Sequence, residues 1–250
     1  MDGNLVAAYS SRWGVLIGRA QSNQHRRRVR HVLPAQPTTR NHTAGQFKSC
    51  PGSDRMNHVD DHNRFGAALH SKGDLDGAIA EYRADLHLNP THVCAHYNLG
   101  TALQDKGDLK GAIAQYRTVL RLNPTHVSAH YNLGTALQKK DNFEEAIAEF
   151  RMALHLNPNH VGAHCNLGIE LRKKGDLEGA IAEYRTALRL NSNGVHARHH
   201  LAIALRANGD LVSARKEYKK ALKLIPKTSE NDSWIESIKS ALRELAGAMR

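Results

Sequence analysis

Five short segments punctuate the chain from residue 89 onward at a constant step of 34 residues: "NP" ending at Pro90, "NP" at Pro124, "NP" at Pro158, "NS" at Ser192 and "IP" at Pro226. Between them whole phrases return. "NPTHVCAHYNLGTALQ" at 89–104 and "NPTHVSAHYNLGTALQ" at 123–138 differ only at Cys94 and Ser128, so the nine letters "AHYNLGTAL" occur twice, at 95–103 and 129–137. A fixed period of this length means that one supersecondary unit is copied along the chain. Each copy must bury its apolar face against the next, because a single unit is too small to hold a core. The period divides the chain into units at 57–90, 91–124, 125–158, 159–192 and 193–226.

Within a unit the apolar letters fall into two helical stripes. In the second unit Val93, His96, Tyr97, Leu99, Gly100 and Leu103 make one stripe. Leu109, Ala112, Ile113, Tyr116, Leu120 and Leu122 make the next. The "KGDL" between them predicts a tight joint: Gly107 takes the left-handed backbone that ends a helix, and Asp108 caps the next one. The third unit replaces this with "KDNF", where Asp141 and Asn142 are expected to fill the same two roles.

A 34-residue helix-turn-helix of this pattern resembles the tetratricopeptide repeat. The letters that carry the resemblance are Leu99, Gly100, Leu103, Ala112, Tyr116 and Pro124 in the second unit, and Leu133, Gly134, Leu137, Ala146, Phe150, Ala153 and Pro158 in the third. The fourth supplies Leu167, Gly168, Leu171, Ala180, Tyr184 and Ala187; the fifth supplies Leu201, Leu205, Ala214, Tyr218, Ala221 and Pro226. The resemblance implies an all-α solenoid of about five repeats.

Departures cluster at the ends. Asp85 stands where Val119, Ala153, Ala187 and Ala221 pack between helices, so a buried carboxylate there costs several kcal/mol or finds a partner. The first unit is therefore expected to be the least stable. Ala202 and Ser192 are mild replacements of the family's glycine and proline. Beyond Pro226 the register breaks, but Trp234, Ile235, Ile238, Leu242, Leu245 and Met249 form one stripe, read as a capping helix over 227–250.

Composition adds exclusions. The net charge of +11 is unevenly placed: residues 1–56 carry 9 Lys and Arg against 2 acids, residues 193–226 carry 7 against 2, and residues 57–192 carry 15 against 16. A basic groove for nucleic acid is not what this distribution describes. The segment 1–56, with "QHRRRVRHVLPAQPTTRNHTAGQ", is polar and core-poor, which predicts disorder. Three readings of it stand: sequence upstream of a start at Met56, a plain tail, or a targeting or nucleic-acid-binding arm. The basic letters Arg215, Lys216, Lys219, Lys220 and Lys223 read as a solvated helix face.

No 18-residue apolar run is present, so no membrane partner is expected. Cys50, Cys94 and Cys165 form an odd set without a C-x-x-C pair, read as free thiols in a reducing compartment and hence a cytoplasmic location. No catalytic constellation, cofactor motif or metal site is expected. The pairs His58/His62, His92/His96, His126/His130 and His160/His164 have a spacing that can hold a metal, but two ligands are not a site. No acid stands regularly beside them along the chain. Packing at helix junctions is the expected role, with "HARHH" at His196, His199 and His200 a candidate pH sensor.

The letters the fold does not require point to function. Asn98, Asn132 and Asn166 recur at one place on the first helix, turned about 100° from the core-facing Leu99, Leu133 and Leu167. The resemblance implies that first helices line a concave face. In the arrays most similar to this one, the superhelix of O-linked N-acetylglucosamine transferases and the kinesin light chains, an asparagine at this place bonds the backbone of a bound extended peptide. A carboxamide suits that duty, since it donates and accepts as a peptide unit does. Tyr97, Tyr131, Thr101, Thr135, Gln104 and Gln138 are expected beside it. Unit four keeps Asn166 although Tyr and Thr have become Cys165 and Ile169, which argues against copying alone; the end units carry Arg64 and His200 instead.

The carboxylate clamp of chaperone-binding co-chaperones needs lysines and an arginine that no window supplies, so a partner's free C-terminal tail held that way is not expected. The leading expectation is a non-enzymatic scaffold for a protein or peptide ligand. The alternative is the substrate-selecting part of a glycosyltransferase-type enzyme with its catalytic part on another chain, since no length follows the last helix here.

Overall fold

The computed structural model describes residues 58–226 and 228–249, with side chains from residue 61; the basic segment and its three readings lie outside the described residues. The described residues form eleven α-helices joined by short turns, with no strand among them. They run in pairs: α1 (His58–Ser71) with α2 (Leu75–Leu88), α3 (Val93–Lys106) with α4 (Leu109–Leu122), and α5 (Val127–Lys139) with α6 (Phe143–Leu156). α7 (Val161–Lys173) with α8 (Leu177–Leu190) and α9 (Val195–Ala207) with α10 (Leu211–Leu224) follow. A 3-10 turn at Ser229–Asn231 leads into α11 (Asp232–Ala248).

The joint chemistry explains the pairing. Gly73, Gly107, Gly175 and Gly209 all take positive φ between +85° and +91°, and Asp141 does so at 59°. One residue later Asp74, Asp108, Asp176 and Asp210 accept the amide N–H of Gly77, Gly111, Gly179 and Ser213. Asn142 departs from expectation. Its side chain makes no cap bond; its Nδ2 donates to Glu145 Oε2 at 2.7 Å instead. A carboxamide can act as a donor as well as an acceptor, and the glutamate three residues on claims it.

Each pair closes around one ring. Tyr82, Tyr116, Phe150, Tyr184 and Tyr218 are buried against the first helix of their own pair. A Cβ at Gly100 would stand 2.7 Å from the Tyr116 ring, and one at Gly134 or Gly168 equally close to Phe150 or Tyr184. The glycine of the repeated "LG" is thus a close-approach site, which the fifth pair gives up at buried Ala202. Ala112, Ala146, Ala180 and Ala214 complete a continuous core with Leu99, Leu133, Leu167 and Leu201.

Successive pairs stack through the second helix of one and the first helix of the next. Each first helix also touches the next first helix, whereas no second helix reaches the next second helix among the described residues. The array therefore bends toward its first helices, which line the inner face. α11 packs on α10 and buries Ile238 and Leu245, with Trp234, Ile235 and Leu242 half-buried. Met249, assigned to the same stripe, is 41% exposed, because the helix ends at Ala248 before another apolar turn is complete.

Asp85 finds its partner. Its carboxylate is fully buried, and His92 Nδ1 lies 3.0 and 2.9 Å from its two oxygens. The histidine is thereby drawn away from capping: His126 and His160 at the same slot accept the N–H of Ala129 and Ala163 at 3.1 Å, and His92 makes no such bond.

Two expectations are corrected. Cys165 is free and half-buried, but Cys94 is disulfide-bonded; an odd count without close spacing says nothing about which thiols a fold brings together. Acids do stand regularly beside the histidine pairs. His62, His130 and His164 reach Glu81, Glu149 and Glu183 at 2.7, 2.6 and 2.6 Å, each 19 residues further on. The acid is on the second helix, so helix pairing brings it in and neighbouring letters do not reveal it.

Candidate functional site

His96, His130 and His164 have both ring nitrogens occupied by the fold. His130 spans Glu149 on one side and the Pro124 carbonyl at 2.9 Å on the other; His164 spans Glu183 and the Pro158 carbonyl in the same way. In the fifth unit Arg198 takes this slot and donates to Glu217 at 2.7 Å and to the Ser192 carbonyl. The slot thus ties the loop before a first helix to the second helix of the same pair. Among the described residues no three His, Cys, Asp or Glu side chains gather as metal ligands. No helix among the described residues is long and apolar enough to cross a membrane.

On the inner face, Asn98, Asn132 and Asn166 are half-buried on α3, α5 and α7. Each spends one amide N–H on the preceding unit. Asn98 Nδ2 donates to Asn63 Oδ1 at 2.9 Å, Asn132 to the Tyr97 hydroxyl at 3.0 Å, and Asn166 to the Tyr131 hydroxyl at 3.4 Å. The step is 35 residues, one more than the repeat, because each asparagine reaches the residue just before its own equivalent. Bridging neighbouring units orients each carboxamide plane, and Asn132 also acts on the Tyr116 hydroxyl.

The expected neighbours divide by what holds them. Tyr97 and Tyr131 are half-buried, packed on Tyr116 and Phe150 and on the rings of His126 and His160 of the following unit. Burial raises the pKa of both phenols, while the asparagine amides pull the other way, so the hydroxyls stay neutral. Burial also lowers the pKa of His126 and His160, consistent with a neutral ring that accepts the cap bond. Thr101 and Thr135 turn their hydroxyls to the Tyr97 and Asn132 carbonyls of their own helices. Gln104 is half-buried with its Oε1 enclosed, and Gln138 Nε2 donates to Glu170 Oε1 at 2.5 Å.

Glu170 was not singled out by its letter. It stands where Ala102, Ala136 and Ala204 are buried, and its exposure is 0%. Lys173 Nζ lies 2.9 Å from Oε1 and also sits 4.7 Å over the Phe143 ring. The signal was available as a change from alanine to acid at one period position.

At the fourth and fifth units the pattern of bridging asparagines ends. Cys165 replaces the tyrosine and His200 the asparagine. Burial raises the Cys165 thiol to about 11, which leaves it unreactive as a nucleophile. His200 stacks on Tyr184 with ring centroids 5.9 Å apart, and His199 lies between His200, Tyr218 and Trp234. Burial, then repulsion from a neighbouring histidine (His196 on His199, His199 on His200) and from Arg172, lowers His199 to about 4 and His200 to about 3.

Comparison with known proteins agrees with this geometry. The model of the tetratricopeptide repeat matches residues 97–161 and 165–228, and a second model, described as TPR repeat, matches 66–107. The chain belongs to the tetratricopeptide repeat family. Among solved structures, a crystal structure of MamA is 30% identical with a TM-score of 0.61, covering 64% of this chain and 93% of that one. YrrB, described as a TPR protein with an unusual peptide-binding site, is 23% identical with a TM-score of 0.59, covering 66% and 86%. A thermophilic TPR protein of Thermus thermophilus, 24% identical with a TM-score of 0.55, covers 74% and 98%. The last two establish the fold alone. No curated protein matches the sequence. A TPR array of this kind has its first helices on the inner face, where the bridging asparagines lie.

Proposed function

We propose that this TPR array is a non-enzymatic scaffold that holds a protein ligand, as an extended peptide or a helix, against the inner face of its first helices. The observation that carries the reading is the row Asn98, Asn132 and Asn166 on the first helices, each carboxamide oriented by a bond to the preceding unit. A peptide backbone supplies the complementary pair at each rung. The peptide-binding description of YrrB, a protein of the same fold, points the same way.

Magnitudes set what the row alone can do. Six hydrogen bonds at roughly 1 kcal/mol net each sum to about 6 kcal/mol, whereas micromolar affinity needs about 8. Side-chain contacts supply the remainder, and Tyr97, Tyr131, Thr101, Thr135, Gln104 and Gln138 are the neighbours proposed for it. Selection of displayed random twelve-residue peptides on the full chain, followed by fluorescence anisotropy on the enriched sequences, tests the reading. The variant Asn98→Ala/Asn132→Ala/Asn166→Ala should weaken the enriched peptides at least tenfold while keeping its helical content. Equal affinities for the two proteins would sink the reading.

A further inference from the structure

The first unit differs from the others on the outer side of α1. The later first helices, each packed on the second helix of the unit before, bury Leu99, Leu133, Leu167 and Leu201 at 3, 1, 3 and 4% exposure. The equivalent residue of α1 is Phe65, and its ring is 57% exposed. Asp61, Ala68 and Lys72 lie four before, three after and seven after it, so the four share one helix face, and all four are exposed. Lys72 extends the last turn, its amide donating to the Ala68 carbonyl at 3.3 Å. This face is not built to receive another repeat. Asp61 stands where the later units bury Ala95, Ala129, Ala163 and Ala197, and a second helix seated there would enclose its carboxylate. Enclosure is costly unless a cation comes with it. Glu170, the acid that the fourth unit does bury at the position of Ala68, is held by both Lys173 and Gln138. Among the described residues neither Asp61 nor Lys72 has an ion pair. A stripe with an apolar centre and opposite charges at its two ends complements itself.

We propose that this face of α1 is where two copies of the chain pair, helix against helix and antiparallel. A two-fold axis level with the Gly66–Ala67 peptide sets Phe65 of one copy opposite Ala68 of the other, and Asp61 opposite Lys72. Each pairing occurs twice, because the same patch serves both copies. The ring meets a small side chain, which lets the helices approach to the usual distance of about 8–10 Å. The charged pairs close both ends, about 8 Å along the helix from the axis. A parallel pairing in register would instead set Asp61 on Asp61 and Lys72 on Lys72, like charge on like. One helix crossing buries less than the standard interface of about 800 Å² per partner, so the dimer is expected to be micromolar or weaker. The asparagine row lies on α3, α5 and α7, so pairing through α1 leaves it open and stands independently of the peptide reading.

Sedimentation equilibrium of the full chain from about 10 μM to about 1 mM tests this. Wild type should show a reversible monomer–dimer equilibrium. Phe65→Ser, which removes an exposed ring and should keep the helical content, should weaken the dimer about tenfold or more. Asp61→Lys alone puts lysine against Lys72 at both ends, and Lys72→Asp alone puts aspartate against Asp61. Each should weaken self-association about tenfold, more so at low salt. An equimolar mixture of these two variants should associate within about threefold of wild type, because each then supplies the charge that the other lacks. That recovery also shows that both variants are folded. A monomer at every concentration overturns the proposal, whatever else covers Phe65. A dimer that Phe65→Ser leaves intact overturns it as well, since the copies then meet elsewhere. A mixture that associates no better than its components overturns the antiparallel pairing.

Discussion

Acidification to pH 5 should destabilise the C-terminal end of the array by roughly 4 kcal/mol through two residues, His199 and His200. Both rings are enclosed by Tyr184, Tyr218, Trp234 and each other, and are held to about 4 and about 3 when folded. Unfolded histidine takes its proton near about 6.5. Above that value both states are neutral and the pair has no effect on stability. As pH falls below it the unfolded chain gains protons that the folded chain refuses, so stability is lost progressively until the folded values are reached. At pH 5 each ring contributes a loss of about 2 kcal/mol, since roughly 1.5 pH units at about 1.36 kcal/mol each is close to that figure. For a domain of this size the total corresponds to a fall in Tm on the order of 10 °C. The perturbation is His199→Tyr/His200→Asn, which installs the letters of the second and third units and removes both titrations. Thermal melts at pH 7.5 and 5, followed by circular dichroism, should show the wild-type drop shrinking by roughly 4 kcal/mol in the double variant. His126, His160 and His196, whose pKa values burial also lowers, remain as a shared background. An identical pH drop in both proteins would refute the burial argument for the pair.

Four further outcomes follow from particular contacts. His92→Ala should cost about 1–3 kcal/mol by chemical denaturation, because it strips a hydrogen bond from the buried Asp85 carboxylate, and should cost far less in an Asp85→Ala background. Glu170→Ala, which restores the small residue found in the sister units, should be neutral or stabilising by up to a few kcal/mol. Lys173→Met, which leaves Glu170 buried with only Gln138 and its own unpartnered Oε2, should destabilise in the same melts. Asn142→Asp should raise stability by about 1 kcal/mol, since it puts a capping carboxylate where the present side chain turns to Glu145 instead.

How legible this protein was in its letters varied with distance along the chain. Gly107, Asp108 and the "LG" pairs are local devices, so the turn, the cap and the close ring contact could be read directly. The role of Asn142 could not, because Glu145 competes for the same amide. The asparagine row was visible by its period, but its bonds to Asn63, Tyr97 and Tyr131 depend on how far one first helix is displaced from the next. Glu170 and Arg172 were each one changed letter at a repeating position.

The sequence by itself determined the unit, its period and the core that stacks it, because helix propensity, apolar spacing and turn chemistry all act within 34 residues. Tertiary structure decided which polar groups meet. The acids beside His62, His130 and His164, the histidine that meets Asp85 and the orientation of each asparagine all arise across helix or repeat boundaries. A buried charge or amide is satisfied by whatever atom the packing brings within about 3 Å, and no local pattern encodes that choice.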